Sequence, residues 1–233
     1  MSQSFYLRDT RLVARDLIGC CLVRLEPRLL IAQIVETEAY LPDDAASHSY
    51  RGPTPRSAVM FGPAGHAYVY FIYGNHYCFN VVTGAEGYGA AVLIRAAIPL
   101  VGIAEMSQHR VHRPPQSSDR PIRSNGQNKT LCNGPGKLTQ AFAITREQHN
   151  GCSLVRTDAG LLLLSAGVPA GGMKRREIVV LRDRRVGVSR SRDAQGHLRR
   201  YLAADCSFVS RKPGPNAQAC TTANDHWSDA IIS

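Results

Sequence analysis

The chain has 233 residues, 44% of them hydrophobic, which is enough for one large domain with a substantial core. No run of eighteen apolar residues is present, and the stretch Met1–Asp9 lacks the apolar centre of a signal peptide, so neither a helical membrane span nor a leader is expected. The formal net charge of +10 points to a polyanion, most simply nucleic acid or an anionic membrane, and with only four lysines among the 28 basic residues the rest are arginines, which suit bidentate phosphate contacts.

Leu12, Val13, Leu17 and Ile18 recur at helical spacing, with Thr10 able to cap the start and Gly19 the end, so residues 8–19 read as a helix. Cys20–Arg24 reads as a strand. Its two cysteines belong to a set of seven that is scattered and contains no Cys-x-x-Cys pair. That usage predicts a reducing, cytoplasmic setting (nucleoid-associated in a bacterium) and no structural zinc.

Leu29–Tyr40 reads as the hairpin partner of that strand. At period two, Glu36, Glu38 and Tyr40 share one face, and Val35, Thr37 and Ala39 the other. A carboxylate two residues from an aromatic ring on one face is a workable catalytic pair. The ring can hold a flat substrate while the carboxylate handles a proton. Taken alone, the stretch fits an edge strand with two solvated glutamates and a surface His better, since glutamate is usually exposed. Asp43 and Asp44 can cap a helical turn that carries His48. Residues 47–61 are polar and rich in Pro and Gly, hence loop, and Arg51 and Arg56 within them can reach phosphates or simply be solvated.

Residues 66–82 form two β-rich runs around Gly74-Asn75, a hairpin-turn pair. Tyr68, Tyr70 and Ile72 share one face. Val69, Phe71 and Tyr73 share the other, and Tyr73 stands beside the turn, where a side chain protrudes. Tyr68 and Tyr70 fit core packing as well as a pocket. Asn80 is an amide on the second strand. Ala90–Ala97 is nearly all apolar and therefore a central strand, interrupted by Arg95, whose burial requires an acidic partner such as Glu36 or Glu38.

Leu100–His109 reads as a helix, and Arg110–Lys129 as a mobile basic loop. Asn133-Gly-Pro-Gly-Lys-Leu138 leads into a helix starting near Lys137, where free amides and a lysine favour an anion. An ordinary loop-to-helix junction fits that segment as well. Residues 161–164 and 178–181 read as short strands, the run Arg182–Arg192 as a second phosphate-contact candidate, and Arg199–Ser207 as leading out of the core. No internal boundary is visible. The expectation is one domain over 1–210 followed by a loosely ordered tail, 211–233.

Ile34-Val-Glu-Thr-Glu-Ala-Tyr-Leu41, Ala45-Ala-Ser-His-Ser49, Met60-Phe-Gly-Pro-Ala-Gly65, Tyr68-Val-Tyr-Phe-Ile-Tyr-Gly74, Cys78-Phe-Asn-Val-Val82, Val92-Leu-Ile-Arg-Ala96 and Asn133-Gly-Pro-Gly-Lys-Leu138 come in that order. Together they resemble the alkyladenine (3-methyladenine) DNA glycosylase family, over nearly the whole chain. The resemblance implies a mixed α/β domain around a curved antiparallel sheet, with flanking helices and a protruding hairpin that enters the DNA minor groove. It implies a monomer that needs neither metal nor cofactor, acts on double-stranded DNA with damaged purines and has no membrane partner.

By the same resemblance Glu38 is the water-activating base and Arg95 lies beside that water. Tyr40, His48 and Tyr70 are walls of the base pocket, and Asn80 is a pocket amide that clashes with the exocyclic amine of guanine. Tyr73 fills the gap left by the flipped nucleotide, with Asn75 following it. Lys137, Arg51 and Arg56 stand as candidate phosphate contacts on their own chemistry rather than on the resemblance. The implied activity is monofunctional excision of alkylated, and by extension deaminated, purines. The competing classes are a non-catalytic nucleic-acid-binding module on the same scaffold and a glycosylase/lyase that uses a lysine.

Overall fold

The computed structural model describes residues 1–111, 129–157, 159–165, 172–173, 178–188 and 196–220. Its frame is an open antiparallel sheet of nine strands among those residues: β1 (Cys21–Arg24), β2 (Leu30–Tyr40), β3 (Ala67–Ile72), β4 (His76–Thr83), β5 (Ala90–Val101), β6 (Leu161–Leu164), β7 (Val180–Asp183), β8 (Arg200–Ala203) and β9 (Gln218–Ala219). The order is β3-β4-β5-β2-β8-β7-β9, with β1 pairing both β2 and β6. Five α-helices among the described residues flank it: α1 (Gln3–Tyr6), α2 (Thr10–Asp16), α3 (Ile103–Val111), α4 (Pro135–Ala141) and α5 (Arg146–His149). This is the expected mixed α/β domain with a projecting hairpin, β3–β4.

β2 is the axis. Along one edge it pairs with β5 from Ile31↔Val101 to Tyr40↔Ala91. Its other edge is divided: β1 takes Leu30–Gln33 and β8 takes Glu36–Glu38. The division coincides with a β-bulge, where the β5 register shifts on either side of Glu36. Beyond the bulge, Thr37 and Ala39 face the core beneath α2, and the Thr37 hydroxyl donates to the Ala14 carbonyl at 2.8 Å. Glu36, Glu38 and Tyr40 therefore fall on the opposite face, as the alternation predicts.

Several boundaries differ from the sequence reading. α2 begins at Thr10 itself. Asp9 caps it, accepting from the Arg11 amide at 2.7 Å, while Thr10 is buried and accepts from the Thr83 hydroxyl at 3.0 Å. The expected helix over 100–109 starts only at Ile103, because the start of β2 extends the β5 ladder through Val101. Gly102, at φ +79, turns the corner, and a Cβ there would lie 2.4 Å from Leu30 Cδ2. Arg199–Ser207 does not leave the core: β8 is buried at every position, between β2 and β7, and Arg200 is tolerated there because carboxylates meet it.

The hairpin turn sits one residue earlier than the Gly74-Asn75 pair suggests. Tyr73 and Gly74 both have positive φ (54° and 69°), and the Asn75 amide donates to the Ile72 carbonyl at 3.3 Å. Residues 211–220 hold fixed contacts, since β9 pairs with β7 and the Gly214 amide donates to Asp183 at 2.8 Å. The rest of the expected tail, the 112–128 part of the basic loop and residues 189–195 lie outside the described residues.

Candidate active site

Glu38 is wholly buried, and its carboxylate is gripped from three sides. The Tyr40 hydroxyl donates to Oε2 at 2.8 Å, Arg95 Nη1 donates to Oε2 at 3.3 Å, and the Val186 amide donates to Oε1 at 2.7 Å. Arg95 reaches both carboxylates that the sequence offered it, its Nε donating to Glu36 Oε1 at 3.0 Å. Burial opposes the charge on Arg95, but the Glu38 and Glu36 carboxylates outweigh it and raise its pKa above the ordinary guanidinium value. Burial, then the Glu38 charge, pushes the Tyr40 phenol well up, so Tyr40 is a neutral donor at neutral pH.

In front of Tyr40 opens a pocket lined by Tyr40, Ala46, His48, Met60, Tyr68, Tyr70 and Asn80. The His48 ring meets Tyr70 edge-on at 4.5 Å between centroids, and its Nδ1 lies 2.8 Å from the Tyr68 hydroxyl. His48 is exposed overall, yet its inner edge is enclosed. That enclosure, with the nearby Arg56 charge, lowers its pKa below the imidazole value, so the ring is neutral at neutral pH. Burial raises the Tyr68 phenol to about 12 and the Tyr70 phenol well above its usual value. Asn80 donates through Nδ2 to the Tyr68 carbonyl at 2.9 Å, which fixes its amide in the wall. The pocket is thus lined by uncharged aromatic and amide groups, backed by a carboxylate one side chain deeper.

The hairpin root is held from below. Thr139 of α4 donates to the Tyr77 carbonyl at 3.0 Å, and the Asn150 side chain accepts from the Val69 amide at 2.9 Å. From this root Tyr73 projects at the tip, 83% exposed and in a left-handed conformation uncommon for a bulky residue. Asn75 follows it, partly buried. Arg51 and Arg56 are exposed on the segment before β3, and Arg56 leans over the Tyr70 ring at 5.3 Å while donating to the Phe71 carbonyl at 3.1 Å. Lys137 is partly buried and donates to Asn133 at 3.0 Å.

Sequence reasoning missed the supports. Arg185, part of a run read as phosphate-contacting, is instead buried. It is paired with Asp44, donates to the Ala39 carbonyl at 3.2 Å, and lies 4.7 Å from the centre of the Tyr40 ring. Arg182 of the same run donates to Gln218. Tyr68, which fitted core packing, is a pocket wall with its hydroxyl on His48. Arg200, Asp183 and Ser210 complete the polar cluster behind Glu36, and nothing in their local sequence marks them, because residues far apart in the chain assemble it.

A family model for methylpurine-DNA glycosylase (MPG) matches residues 4–207. A protein of Methanoculleus marisnigri is 47% identical over 209 residues, covering 90% of this chain and 97% of its own. One of Carboxydothermus hydrogenoformans is 43% identical over 213 residues (91% and 99%), and one of Koribacter versatilis 39% over 214 residues (91% and 93%). All three carry the name "Putative 3-methyladenine DNA glycosylase". With matches of this extent, the chain belongs to the methylpurine-DNA glycosylase family.

Proposed function

We propose that this enzyme, a DNA glycosylase of alkylated purines, rotates the damaged nucleotide out of the duplex and hydrolyses its N-glycosidic bond with a water activated by Glu38. The observation that carries this reading is the occupancy of the Glu38 carboxylate. A carboxylate offers about four acceptor positions. Here Tyr40 and Arg95 occupy Oε2, and Val186 occupies one position on Oε1. The remaining position on Oε1 can accept a proton from water.

Bond cleavage builds positive charge on the sugar. In the cluster behind the pocket three carboxylates, Glu36, Glu38 and Asp183, face two guanidiniums, Arg95 and Arg200. The formal excess is negative, which suits a developing cation. A ring-alkylated, cationic purine gains a cation–π term between Tyr40 and Tyr70, with neutral His48 beside it, and leaves without protonation. Neutral deaminated purines fit the same walls and need a proton on departure. Asn80 discriminates against the exocyclic amine of normal guanine.

A base inside the duplex is out of reach, so extrusion comes first, at about a few kcal/mol. Tyr73, with Asn75 after it, enters the gap and replaces lost stacking. Arg51, Arg56 and Lys137 contact phosphates. The enzyme works as a monomer without metal or cofactor and leaves an intact abasic strand, the start of base excision repair. A lyase would need an amine to form a Schiff base. Lys137, the one lysine within a motif matched to the family, already donates to Asn133.

The test is release of free base from alkylated duplex, followed by strand cleavage with and without alkali and borohydride trapping. Base release, breaks only after alkali and no trapped adduct are expected. An adduct that disappears in Lys137→Ala would make the enzyme a lyase.

A further inference from the structure

We propose that Glu36 is a positioning residue that, with Ser210 and Arg200, keeps Arg95 from blocking the water site on Glu38. The inference rests on the reading of Glu38 as base and extends it to a residue that touches neither base nor sugar. Glu36 lies on the same strand face two residues before Glu38 and is likewise wholly buried. Its occupancy differs. Oε1 accepts from Arg95 Nε at 3.0 Å, Arg200 Nε at 2.7 Å and the Ser210 hydroxyl at 2.8 Å, while Oε2 accepts from the Ser210 amide. A carboxylate so engaged is poorly placed to activate a water, and its function is to hold its donors.

The donor it holds nearest the reaction is Arg95. Each guanidinium nitrogen has a different partner: Nε meets Glu36, Nη1 meets Glu38 at 3.3 Å, and Nη2 meets the Ser210 hydroxyl at 3.2 Å. Three partners fix a planar group in one orientation, and Glu36 supplies one directly and anchors another through Ser210. Guanidinium and carboxylate otherwise favour a two-pronged grip. With Glu36 neutralised, Arg95 can take both Glu38 oxygens and fill the acceptor position that a water needs. The same carboxylate steadies the opposite side of the site. Arg200 continues from Glu36 to Asp183 at 3.2 Å, at the end of β7, three residues before the Val186 amide that binds Glu38 Oε1. Bulge, arginine, β8 and the loop after β7 form one closed polar ring.

The test uses full-length enzyme, single-turnover excision from an alkylated duplex, and affinity for a duplex carrying a stable abasic analogue. Glu36→Gln and Ser210→Ala should each lower the excision rate, Glu36→Gln by roughly tenfold or more as expected for hydrogen bonds to charged groups, and leave affinity unchanged. In an Arg95→Lys background, Glu36→Gln should cause no further loss, because it acts through Arg95. If Glu36→Gln does not fold, Ser210→Ala, which removes a single hydroxyl, decides the matter. Normal excision by Ser210→Ala and Glu36→Gln while Glu38→Gln is inactive overturns the inference alone, as does a full additional loss in the Arg95→Lys background. Normal excision by Glu38→Gln overturns the underlying reading and the inference with it.

Discussion

The Tyr40 hydroxyl donates to Glu38 Oε2 at 2.8 Å, so one residue is both a wall of the pocket and a ligand of the carboxylate behind it. The ring is itself backed by Arg185 at 4.7 Å, which is anchored on Asp44. Tyr40→Phe keeps the ring and removes the donor. A hydrogen bond to a charged group contributes about 1.5–3 kcal/mol, so excision should slow by roughly ten- to a hundredfold with lesion affinity nearly kept. Single-turnover rates beside equilibrium binding check this. Loss of affinity at an unchanged rate would show that Tyr40 serves only as a wall.

Tyr73 is mostly exposed at the hairpin tip, so it contributes little to the core. Tyr73→Ala should weaken binding to a lesion duplex by about 1–3 kcal/mol, the scale of base–aromatic stacking. The melting temperature should stay nearly constant. A large fall in melting temperature with unchanged binding would mark Tyr73 as structural.

Enclosure lowers the His48 pKa below 6.5. Acidification through that depressed pKa adds a cation at the pocket mouth, so affinity for a cationic lesion should fall there, and His48→Gln should remove the dependence. The sign for stability follows from proton uptake. Between the two pKa values the unfolded chain binds more protons than the fold. The contribution is therefore complete above 6.5 and is lost as pH falls toward the folded value. Melting curves should show the parent protein losing stability relative to His48→Gln on acidification, and no relative loss would contradict the enclosure.

Arg51 and Arg56 are exposed, Arg56 against the Phe71 carbonyl of the hairpin, on a chain of net charge +10. Binding to undamaged duplex should fall linearly in log–log form with salt. Replacing either arginine by alanine should reduce the slope by about 0.9, one phosphate contact each. A slope near zero in the parent protein would exclude phosphate contacts as the source of affinity.

Much of this arrangement can be read in the sequence because it is local. Period-two alternation puts Glu36, Glu38 and Tyr40 on one face, and an arginine inside an apolar strand demands a carboxylate, which Arg95 finds twice. The supports escape because they are tertiary. Arg185 and Arg200 look like surface cations, and only the fold brings Asp44 and Glu36 to them. The end of β5 escapes for a related reason. Leu100 suits either element and only Val101 favours a strand locally, so pairing with the start of β2 decides the conformation. The turn starts one residue early because Tyr73 itself takes a positive φ, a conformation no local preference of a bulky residue announces.

The central claim is that Glu38 activates the attacking water. The most direct measurement is single-turnover base release from an alkylated duplex by Glu38→Gln, which keeps the side chain's shape and removes its charge. The rate should fall on the order of a hundredfold or more, the usual scale for a general base, with lesion binding largely retained. Near-normal base release by Glu38→Gln would contradict it.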